Sequence, residues 1–332
     1  SFTERIRIDG QEVSEDFVVE FIEQLQPLLE RIKPSFFEMT VAMAFHYFAQ
    51  QSVDYAVVEV GLGGRLDSTN ILSPEISLIT NIGYDHQKML GNTLPEIARE
   101  KAGIIKPNTP AVISEKQEEV SPIFQEKAKE VQAPIYFAER HWTVTEDGEV
   151  LHEGSIEIPH VEIPLVGKHQ LKNIQGALQV SYLLGAPLNA FWDGIERMPE
   201  LTGLKGRWQQ LGSHPPIYCD VAHNIDGVRA VMEQLQEYSY DSLHIVWGMS
   251  DDKDRRPIYQ LLPQEAKYYC CKADVPRGFD DNLLQAEMQE AGLEAEAFGS
   301  VARAVEAAKA QASSQDFIYI GGSLFVVAEL DL

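Results

Sequence analysis

The chain has 332 residues, enough for two domains that each bury a core. Hydrophobic residues at 44% and charged residues at 23% fit a globular protein, no apolar run approaches the ~20 residues a bilayer span needs, and "SFTERIRIDG" is no signal peptide. A formal net charge of −24 repels phosphate backbones and argues against nucleic-acid binding, while leaving room for anionic small molecules held by local basic groups, helix N-termini or metal ions.

The chain opens on Ser1 in the middle of a polar pattern, so further residues are expected upstream. "PSFFEMTVAMAFHYFAQQ" (34–51) begins with Ser35 and Glu38 in capping-box spacing and reads as a mostly buried helix. "DYAVVEV" (54–60) is a continuous apolar run, the pattern of a central parallel strand, with one buried acid, Glu59. "ISLITNIG" (76–83) is a second strand. "TLPEIAREKAG" (93–103) is a helix with Thr93 and Glu96 as a capping box and Gly103 as its C-cap. "PAVIS" (110–114), a helix near 121–131 and "PIYFA" (134–138) continue the alternation. Residues 141–165 read as a hairpin or small antiparallel sheet turning at Asp147-Gly148, and 167–185 as helix.

Residues 186–206 hold two prolines and three glycines, which places a domain boundary near Leu201 and divides the chain into 1–200 and 201–332. A second α/β series follows, with strands "PIYCDVA" (216–222), "LHIVWGM" (243–249), "AKYYCC" (266–271) and "FIYIGG" (317–322). Its first helix carries Ile225, Val228, Val231, Met232 and Leu235 on one face. Cys219, Cys270 and Cys271 lack zinc spacing and read as reduced strand residues, which fits a cytoplasmic protein. The fold class is α/β, with two doubly wound domains.

The stretch "VVEVGLGGRLDSTN" (57–70) raises the question of what its glycines serve. Gly61, Gly63 and Gly64 give G-x-G-G, short of a dinucleotide fingerprint, and no helix pattern follows. The G-x-x-x-x-G-K-[ST] phosphate loop occurs nowhere in the chain. Glu59 stands at the carboxyl end of its apolar run, and the next strand delivers Asp85 and His86 to the same edge. A carboxylate and an imidazole there can form one face of a divalent-metal site. A hydrogen-bonded core Glu beside a surface His is the plainer alternative, and in either case a buried carboxylate needs a partner.

"EVGLGGRLDSTN", "TNIGYDHQKMLGNTLPEIAREKAGIIKP" and "DVAHNIDG" resemble the folylpolyglutamate synthase / dihydrofolate synthase family of Mur-type ATP-dependent amide ligases, and the resemblance covers essentially the whole chain. It implies an N-terminal P-loop-type ATPase domain, incomplete here, and a C-terminal Rossmann-like Mur ligase domain. The family's "GTNGKGS" phosphate loop and "SPHL" motif would lie upstream of Ser1, and the present chain alone is expected to be inactive as a ligase. The activity implied is ATP-dependent ligation of L-glutamate to a folate or dihydropteroate carboxylate through an acyl phosphate, with Mg2+, in a cytoplasmic monomer that binds neither nucleic acid nor membrane.

Carried over by motif, Glu59 and His86 resemble ligands of a magnesium ion. Lys101 matches a lysine that Mur-type ligases carbamylate, which would let it reach that metal. By itself, a lysine in a last helical turn does no more than offset the helix dipole. Asn173 in "LKNIQGA" and Arg207 in "GLKGRWQ" match nucleotide contacts, and a guanidinium fork suits phosphate. Asp220 and His223 match residues near the adenosine and phosphates, although Asp220 reads equally well as a helix N-cap partner. Phe2 and Arg5 resemble a folate-side wall, for ring stacking and a carboxylate. A Mur-type ligase for another carboxylate, and a binding module without turnover, are the alternatives.

Overall fold

The computed structural model describes residues 2–251 and 253–330. It falls into two compact units. One comprises the residues up to Ile82 together with His86–Glu139, and the other comprises Gly83–Asp85 with the described residues from Arg140 onward.

In the first unit, helices Glu15–Ile32 and Phe36–Gln51 pack around Ile6, Val13, Phe21 and Met43. The Ser35/Glu38 capping box forms, with the Glu38 amide donating to Ser35 Oγ and the Ser35 amide donating to Glu38 Oε2. Helix Phe36–Gln51 is not mostly buried as its sequence suggests: only Thr40, Val41 and Met43 are. A parallel sheet of Ser77–Ile79, Ala111–Ile113 and Ile135–Phe137 forms the other half of the unit. Helices Leu94–Ala102 and Ser121–Glu130 cover it through Ile97, Ala98, Phe124 and Ala128.

The predicted strand 54–60 is the main departure. It pairs with no described strand, and Tyr55 and Val57 are 78% and 98% exposed. An apolar run supplies the side-chain pattern of a central strand, but the ladder also needs a neighbouring edge to exchange hydrogen bonds with. Glu59 is consequently exposed rather than buried.

The second unit contains two sheets. Trp142–Val144, Val150–His152 and Ser155–Ile158 form an antiparallel meander that packs on helix Lys168–Leu183 through Trp142, Val150, Ile174 and Leu178. The larger sheet has six strands in the order Glu294–Ser300, Lys267–Lys272, Leu243–Trp247, Phe317–Gly321, Pro216–Cys219, Gln209–Ser213; all are parallel except the last. Its continuous apolar strands face two cores. Ile245, Trp247, Cys270, Phe317 and Tyr319 point to one, and Val246, Cys271, Ile318 and Ile320 to the other. Helices on both faces make it doubly wound. The three cysteines are free and buried, and burial pushes the Cys270 thiol up to about 12. No described helix is long and apolar enough to cross a membrane.

Candidate functional site

The glycine stretch serves packing. A Cβ on Gly64 would stand 2.8 Å from the Glu100 carbonyl oxygen, and one on Gly103 would stand 2.4 Å from Arg65 Cα. Loop and helix end therefore meet backbone to backbone. The Arg65 amide donates to the Glu100 carbonyl at 2.8 Å, and its guanidinium donates twice to Glu100 Oε1 at 3.1 and 3.0 Å. Asn70 Nδ2 donates to the Gly103 carbonyl at 3.1 Å. These bonds satisfy carbonyls that a helix C-terminus leaves open, so the loop acts as the cap. Gly103 itself is right-handed, φ −59°, not the left-handed cap its position suggests. The helix so fixed carries Lys101 one residue from its end, and its other end holds the predicted Thr93/Glu96 capping box.

Glu59 makes no hydrogen bond or ion pair with the described residues. His86 is exposed and left-handed at φ 49°, ψ 36°, where it begins the short helix Gln87–Leu90. Histidine is among the few side chains that tolerate this region, and residues held there cluster at functional sites. Among the described residues, no three His, Cys, Asp or Glu side chains form a group able to hold a metal ion. Magnesium asks for less: one or two protein ligands, with water and phosphate completing the shell. Glu59, a carboxylate with no partner to give up, fits that requirement. His86 adds a nitrogen donor, and Lys101 would qualify only once its amine carried a carboxylate. Phe2 and Arg5 meet at Phe36: the two rings are edge-to-face at 5.7 Å, with the guanidinium 6.0 Å from the Phe36 centroid.

The remaining predicted residues lie in the second unit. Arg207 sits in the turn leading into Gln209–Ser213, where Trp208 adopts φ 46°. A bulky residue with positive φ is strained, and the Asp220 carboxylate holds it there by accepting the Trp208 amide at 2.8 Å. The other Asp220 oxygen accepts the Ala222 amide at 2.8 Å. Asp220 is therefore not an N-cap partner; Asn224 caps helix Ile225–Leu235 by accepting from Gly227 at 2.9 Å. Burial raises the Asp220 carboxyl above its ordinary value, against the two amide bonds and the charges of Arg207 and His169. Among the described residues the one hydrogen bond of the Arg207 side chain is long, 3.4 Å, to the Gly206 carbonyl, and its guanidinium forms no ion pair. A half-buried cation in that state is ready for an anion.

Helix Lys168–Leu183 brings in two residues the motif reading did not select. His169 lies within electrostatic reach of both Asp220 and Arg207; desolvation lowers its pKa, Asp220 opposing and Arg207 adding. Gln170 is buried and accepts from Asn173 Nδ2 at 3.2 Å. Their signal was available, since His169 and Gln170 precede Asn173 by four and three residues and so share its helix face. His223 keeps Nδ1 on the Val221 carbonyl at 3.0 Å, which leaves Nε2 outward. Asn173 is exposed on its helix. The 540 Å³ pocket bounded by Glu146, Asp147, Glu162 and Glu196 holds none of these residues, and its acids disfavour phosphate.

The Mur ligase middle domain pattern matches residues 25–181, and that of the Mur ligase glutamate ligase domain matches 206–324. The dihydrofolate synthase/folylpolyglutamate synthase of Bacillus subtilis is 30% identical over 99% of this chain and 80% of its own length. A probable bifunctional folylpolyglutamate synthase/dihydropteroate synthase of Haloferax volcanii is 34% identical over 98% of this chain; here the chain spans only 40% of the relative's length, and 41% of the similar protein from Halobacterium salinarum. Among solved structures, E. coli FolC in complex with DHPP and ADP superposes with a TM-score of 0.87 at 30% identity, over 99% of this chain and 78% of that one. A bifunctional folylpolyglutamate synthase/dihydrofolate synthase with Mn, AMPPNP and L-glutamate bound gives 0.85 at 30% identity, over 99% and 78%.

Proposed function

Because the chain belongs to the folylpolyglutamate synthase / dihydrofolate synthase family of Mur-type ligases, we propose that it takes part in ATP-dependent ligation of L-glutamate to a folate or dihydropteroate carboxylate. One observation carries the reading: 99% of the chain follows the fold of a relative solved with DHPP and ADP. In this reaction the carboxylate is activated as an acyl phosphate, the glutamate amine attacks it, and phosphate leaves. Arg207, on its strained turn and in no ion pair among the described residues, receives a phosphate oxygen; Asn173 and His223 orient the nucleotide, and Asp220 holds the turn. Phe2 and Arg5, beside Phe36, face the folate.

A divalent metal fits this reading, supported by the Mn in a relative's structure. Glu59 and His86 would hold it, Lys101 would join them once carbamylated, and the ion would supply neutralisation of charge on the transferred phosphoryl group. The boundary between an ATP-binding domain and a C-terminal domain is placed near Leu201, supported by the family patterns that end at 181 and begin at 206. Three buried free cysteines support a cytoplasmic setting. The test is ATP consumption by the full-length protein with L-glutamate and either dihydropteroate or tetrahydrofolate. Turnover with one or both names the substrate. No turnover with either, but turnover with another carboxylate acceptor, would return the chain to the wider Mur-type class.

A further inference from the structure

Three residues of the Tyr84 loop group with the second unit although the chain on either side of them belongs to the first. This tongue, Gly83–Asp85, meets the second unit at both of its ends. A Cβ on Gly83 would stand 2.3 Å from Asp226 Oδ2, so a larger residue here would have to displace the Asp226 side chain in the first turn of helix Ile225–Leu235. Asp226 is itself committed to Arg229 at 2.8 Å. Two residues on, Asp85 Oδ1 accepts from Lys253 Nζ at 2.8 Å, while its Oδ2 stands 3.8 Å from His223 Nε2. The Lys253 side chain is 14% exposed, that of Asp85 29% and that of His223 39%.

We propose that Lys253 is a positioning residue for nucleotide binding: it fixes Asp85 and cancels its charge beside His223. The inference rests on the proposed reading of this region as a nucleotide site. A phosphate approaching the outward Nε2 of His223 meets the Asp85 carboxylate a few ångströms away. In a chain with net charge −24, that carboxylate would repel it. The ammonium, largely shielded from water and bonded to one Asp85 oxygen, removes the repulsion and leaves His223 facing a locally neutral wall. No motif of the sequence reading marks Lys253.

The experiment measures ADP binding by calorimetry, the KM for ATP and the melting temperature on the full-length protein, comparing wild type, Lys253→Met, Lys253→Arg and Lys253→Met/Asp85→Asn. Lys253→Met is expected to weaken ADP binding and raise the KM for ATP by about tenfold or more, with a smaller change in kcat. The loss should shrink in higher salt, because the Asp85 carboxylate, deprived of the Lys253 ammonium, acts on the nucleotide through charge. Lys253→Arg should recover most of it, and Asp85→Asn in the methionine background should recover ADP binding. A lower melting temperature with unchanged ADP affinity would overturn the proposal and leave Lys253 as a structural anchor. So would a double variant no better than Lys253→Met. A wild type that binds ADP but ligates no glutamate would refute the proposed substrate and leave the positioning role standing; one that binds no ADP would remove both.

Discussion

Glu59 shows how far a single residue's environment departs from its pattern. The apolar run around it suggests a buried acid, yet it is exposed and has no partner among the described residues. Replacing it by Gln therefore removes nothing the fold depends on. Surface changes of this kind stay within about 0.5 kcal/mol. Glu59→Gln should leave the melting temperature almost unmoved while raising the magnesium concentration for half-maximal activity of the full-length protein. A melting temperature several degrees lower with an unchanged magnesium requirement would return Glu59 to a structural role. Gly64 is the opposite case. Its position demands closeness to the Glu100 carbonyl, and backbone cannot yield as a flexible side chain can. Gly64→Ala should cost about 1–3 kcal/mol, the usual penalty of overpacking, seen as a lower denaturant midpoint at unchanged m.

Among the elements, those with local signals appear where the sequence places them, and those that depend on neighbours do not. Helix Leu94–Ala102 starts at its capping box. Helix Glu15–Ile32 carries Phe17, Phe21, Leu25 and Leu29 at helical spacing, but Pro27 lies inside it, where proline reads as a break. In the edge strands Gln209–Ser213 and Glu294–Ser300, polar residues hide the alternation that marks a strand. Helix Asp281–Glu290 is tied to helix Arg256–Tyr259 and the residue preceding it through Glu287. That carboxylate accepts from Arg255 at 3.0 Å through both oxygens and from Tyr259 Oη at 2.8 Å. The Arg255 bonds, more than any other cause, hold the Glu287 carboxyl below its usual value. A depressed carboxyl stabilises the fold above the unfolded pKa of ~4.3, and the contribution fades as pH falls through the folded value. Glu287→Gln should thus cost about 1 kcal/mol at pH 7, discounted because a third of the side chain meets water, and should flatten the loss of stability below pH ~4.3. Denaturant titrations at pH 3.5 and 7 read both effects; an unchanged acid limb would show that the pair contributes nothing in solution.

For the whole molecule, charge is the dominant global term. Fifty-one acidic residues face 27 basic ones, and self-repulsion opposes the compact state. Raising ionic strength from about 10 mM to 150 mM shortens the Debye length from about 30 Å to 8 Å and screens that repulsion. The melting temperature should rise over this interval in a simple chloride salt. A fall would mean that local ion pairs such as Arg255–Glu287 outweigh the global repulsion.

The sequence by itself determined the α/β class, the two parallel series, the capping boxes and the residues that carry the family resemblance. These follow from short-range periodicity and from side-chain chemistry at fixed spacing, which survive without knowledge of what lies nearby. Only the tertiary structure decided that the run 54–60 pairs with no described strand, that the glycines after it cap the helix bearing Lys101, and that Asp220 restrains Trp208 instead of capping a helix. It alone pairs Lys253 with Asp85, 168 residues apart in sequence. Burial, close approach and charge pairing are properties of neighbours brought together by folding, and no spacing along the chain encodes them.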